Sequence, residues 1–242
     1  SDGPQPILMD NVHHFRNPQV MSSVYYPADS AFYLLYESDL TGHKDIYLLY
    51  LSANFMLDTI NITNDTADDN HLRVNSDGSM VWEKDGQILF AHIENMYTPG
   101  WHLSDPVIIS DSNSYNPVIS CLGPFYSSGL VAWEQHSDTN VAVYYSHWFY
   151  PDTAWSEPVM LYNQGNNSNL RFNNDFWGMG IPLLVWDNED NGLYNLMAYD
   201  FDDGDFFTSD LFQEIPFHPS VFPIVIPVND FYNDAFLAFE GL

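Results

Sequence analysis

The chain has 242 residues, 45% of them hydrophobic and 17% aromatic, which is enough apolar material for a large core and too much for a disordered segment. Thirty-three acids against five bases give a formal charge of −28, and such a surface repels phosphate backbones and anionic headgroups, so nucleic-acid binding and docking on anionic lipid are excluded. Cys121 is the single cysteine, so an intrachain disulfide and any Cys-based metal or redox site are excluded as well, and no apolar run approaches membrane-spanning length.

The first predicted element is 5-QPILMDN-11, an outer strand similar to 105-DPVIISD-111 and 157-EPVMLYN-163. A regular series follows it. A segment led by Asn17-Pro18 precedes the run 32-FYLLYE-37, a polar turn, 45-DIYLLYLS-52 and 59-TINIT-63. The same order returns as 70-NHLRVNS-76, 79-SMVWE-83, 87-QILFAHI-93 and 105-DPVIIS-110. It returns again as 116-NPVIS-120, 129-GLVAWE-134, 141-VAVYYSHW-148 and 157-EPVMLY-162. A fourth copy reads 169-NLRFNN-174, 183-LLVWD-187, 193-LYNLMAYD-200 and 211-LFQEIP-216, and a fifth begins with 218-HPSVFPIVI-226 and 235-AFLAFE-240. The aromatic-plus-acid endings place Glu37, Glu83, Glu134, Asp187 and Glu240 at intervals of 46, 51, 53 and 53 residues.

Four short strands per repeat, bounded by Asn, Asp, Gly and Pro, predict antiparallel meanders, and a period near 50 predicts propeller blades. The expected fold is therefore all-β: a five-bladed β-propeller of four-stranded antiparallel blades at about 17–64, 70–111, 115–163, 168–216, and 217–242 plus 5–11. In this single domain the N-terminal strand closes the last blade. The fifth copy shows no third strand before Leu242, which predicts that the native chain continues or that a partner supplies the strand.

The stretch 62-ITNDTADDNHLRVNSDGSMVWEKDGQILFAHI-93 resembles the TolB-like β-propeller repeat through Thr63, Asp69, Ser76, Asp77-Gly78, Trp82, Gly86 and Ile88. The segment 33–51 matches the second half of that repeat through Tyr36, Ser38, Asp39, Gly42, Asp45, Ile46 and Tyr47. Leu72 stands where the family has Pro, and the third to fifth units lack the Asp-Gly turn before the second strand. The run 155-WSEPV-159 is similar to sialidase-type propeller repeats, without a complete Asp-box. The resemblance implies an architecture and leaves function open, because propellers bind, scaffold and hydrolyse alike.

Because one acid recurs in every unit, these carboxylates are expected to start hairpins and accept N–H bonds rather than to form a catalytic ring. Function is expected where the units differ. Trp82, Trp133 and Trp186 fall inside strands and are expected in the core, whereas Trp101, Trp148, Trp155 and Trp177 lie in less regular segments and are candidate ligand-binding residues, suited to stacking on sugar rings. The segment 187-DNEDNGLYN-195 spaces Asp187, Glu189, Asn191 and Asn195 around a glycine, offering hard oxygens to calcium, and is similar to the calcium hairpins of integrin-type blades. The segments 37-ESDLTGHKD-45 and 200-DFDDGD-205 are weaker versions. The histidines show no zinc-helix spacing, and nucleophile-elbow, Walker and dinucleotide signatures are absent from the sequence. Sequons at Asn61, Asn64 and Asn166, and short Asp-Thr/Ser-Ala-type sites similar to a secreted-protein O-glycosylation motif, suit an extracytoplasmic location. The expected function is a non-enzymatic, extracytoplasmic module that binds or scaffolds protein partners within a larger cell-surface or secreted assembly. The alternative is a glycan-binding or glycan-hydrolysing propeller, with two carboxylates doing the chemistry.

Overall fold

The computed structural model describes residues 14–22, 32–51, 57–75, 78–94, 102–121, 128–149, 154–172, 182–201, 204–208, 224–227 and 235–238. Every regular element among them is a β-strand. The first unit is a meander of β1 (Phe15–Ser22), β2 (Phe32–Ser38), β3 (Asp45–Leu51) and β4 (Leu57–Asn61), paired in that order. The second has β5 (Asp69–Val74), β6 (Ser79–Lys84) and β7 (Gln87–Glu94), with the outer edge split between β8 (His102–Leu103) and β9 (Val107–Ile108), both on β7. The third comprises β10 (Ser114–Cys121), β11 (Ser128–His136), β12 (Val141–Phe149) and β13 (Val159–Tyr162). The fourth comprises β14 (Asn166–Phe172), β15 (Leu183–Asp190), β16 (Leu193–Asp200) and β17 (Phe206–Thr208). A hairpin of β18 (Ile224–Pro227) and β19 (Ala235–Ala238) belongs to the fifth repeat.

All pairings within the units are antiparallel, and one parallel pair, Val141 with Asn166, ties the third unit to the fourth. The sheets remain open among the described residues. The N-terminal strand at 5–11, any third strand of the fifth repeat, and Glu240 lie outside the described residues. One expected strand moves: the fourth strand of the fourth unit is Phe206–Thr208, on Met197–Tyr199, while 211–216 lies outside the described residues.

An Asn or His near the start of each of the first four repeats has a definite backbone role. Asn17, His71, Asn116 and Asn169 have φ of 47, 52, 51 and 58°, the left-handed region that Asn and His tolerate best among residues with a side chain. In each of these four units the register between first and second strand shifts at this residue, which marks a β-bulge. Pro18 and Pro117 follow at bulge positions, where a missing N–H costs no ladder bond. The hairpins Asp85-Gly86 and Asn191-Gly192 have two consecutive positive φ values, the turn whose twist matches paired strands.

Successive units pack face to face. Tyr33, Leu35, Ile46 and Leu48 of the first meet Leu72, Met80 and Trp82 of the second. Val81 and Ile88 meet Ile119, Val131 and Trp133 of the third. Val118, Ala132 and Val143 meet Leu170, Leu184, Trp186 and Met197 of the fourth. Trp82, Trp133 and Trp186 are at most 1% exposed, as their place inside strands predicts. Their indole N–H groups bond Asp69 Oδ1 at 2.8 Å, Gln135 Oε1 at 3.3 Å and Asn167 Oδ1 at 2.8 Å. Large rings are thus buried without orphaning their polar edge.

Candidate functional site

The bulges bring the repeated acids to one end of the units. Asn17 Nδ2 donates to Glu37 Oε1 at 2.7 Å, Asn116 Nδ2 to Glu134 Oε2 at 2.8 Å, and Asn169 Nδ2 to Asp187 Oδ2 at 2.8 Å. In the second unit His71 replaces Asn, and its Nδ1 lies 2.7 Å from Glu83 Oε2. Side-chain amides, rather than only the backbone N–H groups expected from sequence, therefore hold the acids. Glu37 also accepts the N–H of Leu72 in the next unit at 2.9 Å, while Asn17 Nδ2 donates to the Leu72 carbonyl at 2.8 Å. A backbone hydrogen bond at Asn169 likewise ties Glu134 to the fourth unit, there at the bulge residue itself.

The four sites then diverge. Two positions beyond the bulge stand Gln19, Arg73, Val118 and Arg171. Arg73 donates to the Leu72 carbonyl at 2.9 Å and Arg171 to the Leu170 carbonyl at 2.7 Å. These are two of only five basic residues in the chain, and each guanidinium lies in the field of the other's surroundings: burial and Arg171 lower the pKa of Arg73, opposed by Glu37, and burial lowers that of Arg171, opposed by Asp187 and Glu134. Burial pushes the carboxyls of Glu134 and Asp187 up from their ordinary range. Donors oppose the rise, Asn116 and His136 at Glu134, Asn169 and Arg171 at Asp187. His136 Nε2 lies 3.3 Å from Glu134 Oε2, with a half-exposed ring over a buried acid. Chemically, this end offers two carboxyls whose protonated form burial favours, with two guanidinium groups nearby as donors.

The candidate tryptophans divide. Trp148 and Trp155 meet in a groove of about 710 Å³ between the second and third units, at the opposite ends of the strands from the acids, with Phe90, His92, Asp105 and Glu157 also lining it. Trp155 packs edge-on against Phe90 at 4.8 Å and covers Gly129, where a Cβ would come within 3.1 Å of the indole. It is thus both groove wall and inter-unit packing. Trp101 and Trp177 lie outside the described residues.

The four candidate calcium ligands do not share a face. Asn195 pairs with Asn188, and so lies across the β15–β16 hairpin from Asp187 and Glu189, while Asn191 is in the turn with its amide on Asp190. Asp187 is engaged by Asn169 instead. Among the described residues no three His, Cys, Asp or Glu side chains cluster as a metal set, and no helix is long and apolar enough to cross a membrane. Sequence reasoning missed Arg73, Arg171 and His136. Their signal was present, since two of five bases sit two places after a bulge residue, but it needed the bulge to be recognised.

No family model matches the chain, and no curated protein matches it. Solved structures do. The catalytic domain of a GH62 α-L-arabinofuranosidase from Coprinopsis cinerea superposes with a TM-score of 0.50 at 12% identity, over 80% of this chain and 67% of that one. An α-L-arabinofuranosidase from Podospora anserina, solved with cellotriose, gives 0.49 at 11% identity, over 79% of this chain and 66% of that one. The likeness is one of fold, and it is to a catalytic domain. It stands against the expectation of a non-enzymatic protein-binding scaffold.

Proposed function

We propose that this chain is a five-bladed propeller that hydrolyses glycosidic bonds at its acid end, in an extracytoplasmic setting. The observation that carries the reading is the divergence of a repeated device: identical bulges deliver carboxylates to one end, where two arginines and two histidines make each environment different. Glycoside hydrolysis needs one carboxyl that holds a proton and another that stays ionised. Glu134 suits the proton donor, because burial raises its pKa and His136 connects it to solvent. A neighbouring unit supplies the second carboxylate, and Arg73 and Arg171 supply donors for sugar oxygens. The fold shared with an arabinofuranosidase catalytic domain supports both the bladed architecture and a furanoside or related neutral glycan as substrate. Trp148 and Trp155 form an aromatic surface, away from the acids, on which a longer glycan would be held.

The test is turnover on a panel of aryl glycosides, arabinofuranosides included, and on arabinose-substituted polysaccharides. Glu134→Gln is expected to lower kcat by about 100-fold or more with a native-like melting temperature. Rates for the parent protein are expected to fall as pH rises through the elevated pKa of Glu134. Trp148→Ala is expected to weaken polysaccharide binding and leave small-substrate turnover unchanged. Absence of both turnover and binding across the panel would overturn the proposal.

A further inference from the structure

A second polar cluster lies in the first unit and does not involve the acids described above. Ser38 on β2 stands directly across from Asp45 on β3, and Asn61 on β4 stands across from Tyr47, two residues along from Asp45. Residues paired across antiparallel strands share a face, as do alternate residues of one strand, so Ser38, Asp45, Tyr47 and Asn61 all project to the same side. Asp45 is fully buried, at 0% exposure. Its Oδ2 accepts the Thr41 hydroxyl at 2.5 Å and Asn61 Nδ2 at 3.0 Å. Its Oδ1 meets no donor, and Ser38 Oγ and Asn61 Oδ1 are likewise buried without a hydrogen-bond partner. Among the described residues no base pairs with Asp45, and the neighbouring Lys44 ammonium donates to Asn70 at 2.8 Å instead.

Three unpartnered oxygens on one face, one from a buried carboxylate, leave a negative charge and three acceptors to be met. A hard cation answers both needs at once: it neutralises the carboxylate and takes carboxylate, amide and hydroxyl oxygens as ligands. We propose that Asp45 Oδ1, Asn61 Oδ1 and Ser38 Oγ bind a hard cation, sodium or calcium, and thereby lock β2, β3 and β4 of the first unit. The site is independent of the glycan reading and stands or falls apart from it.

The experiment is thermal unfolding of the chelator-treated protein in N-methylglucamine chloride, with sodium or calcium substituted at constant ionic strength. Matching ionic strength matters, because any salt screens a charge of −28. One of the two cations is expected to raise the melting temperature saturably, by about 5 °C at a hundredfold excess over its Kd, and which one does so identifies the occupant. Asp45→Asn is expected to abolish the response and Ser38→Ala to weaken the apparent Kd about tenfold, while Asp39→Asn, on the exposed turn of the same hairpin, keeps it. Should Asp45→Asn fail to fold, Ser38→Ala decides alone. An unchanged response in the variants, or no response beyond that of N-methylglucamine, overturns the proposal and leaves water as the partner of these oxygens.

Discussion

The second and fourth units solve one packing problem with different chemistry. Each buries a tryptophan on its second strand and satisfies the indole N–H from the first strand, two residues before the bulge, at the same 2.8 Å. The fourth unit uses the amide of Asn167, whose Nδ2 also donates to the carbonyls of Val141 at 2.6 Å and Gln164 at 3.2 Å, and whose Oδ1 takes a second bond from Asn188. The second unit uses the carboxyl of Asp69, at 0% exposure, with Oδ2 unpartnered. Burial is the main reason the Asp69 pKa rises to about 6, against the opposing bonds of Thr63 and Trp82 and the field of Lys84. The connections differ as well. Residues 163–165 join the third unit to the fourth in three residues, whereas 62–68 lead into the second and carry the Asp65–Lys84 ion pair. An amide can donate and accept at once and so completes a tight joint, while a carboxylate at the same place must be protonated or stay partly unmet.

The comparison breaks most sharply in the fourth unit. Asn167→Asp puts a carboxylate against two carbonyls, and a loss of about 3–5 kcal/mol is expected at pH 7.5 by urea denaturation. Part of it should return as the pH falls toward 5 and the new carboxyl takes a proton. Gly165→Ala strikes the same joint from the backbone. Gly165 has φ of +65°, and a Cβ there would lie 2.4 Å from the Glu189 carbonyl, so a loss of about 3 kcal/mol is expected. The second unit has no glycine in its longer connection, so no equivalent substitution exists there.

Asp69→Asn gives the second unit the chemistry of the fourth and should stabilise it. A carboxyl whose folded pKa is about 6, against an unfolded value of 3.8, binds more protons in the folded state between those limits. Stability therefore falls as pH rises from about 4 to about 6 and is flat above, a cost of about 2–3 kcal/mol at pH 7.5. The substitution is expected to recover up to that amount at pH 7.5 and nothing at pH 4, and equal effects at both pH values would refute the assignment. The smallest effect is expected at the bulge. His71→Asn restores the residue used by the other three units. The bond to Glu83 raises the His71 pKa, so its contribution is present below pH 6.5 and fades as pH rises through the folded value. With a half-exposed ring the change should stay below about 0.5 kcal/mol, visible as a flattened pH dependence of the melting temperature.

The meanders were legible in the sequence because each strand carries its own signal: aromatic and β-branched runs, the buried Trp82, Trp133 and Trp186, and turn residues at regular intervals. The Asn-led openings are visible too, but not their meaning, and in the second unit the bulge falls on His71 rather than on Asn70. A left-handed residue that shifts register and hands its side chain to the acid of the second strand is a relation between two strands, and no single segment displays it. The groove residues were half legible. Trp155 stands out as a residue of a less regular segment, while Trp148 lies on β12, and the packing of Trp155 on Phe90 and Gly129 depends on how the second unit faces the third.

The aromatic-plus-acid repeat thus determined by itself that the chain is all-β and built of antiparallel meanders, because hydrophobic period and turn chemistry are local properties. Only the tertiary structure decided what surrounds each of the four repeated acids it describes. Burial, the neighbouring unit and the two arginines set the environment of Glu134 and Asp187, and these come from residues that packing brings together across units. The same holds for Asp45 and Asp69: as letters they are two acids among thirty-three, and their chemistry follows from being buried.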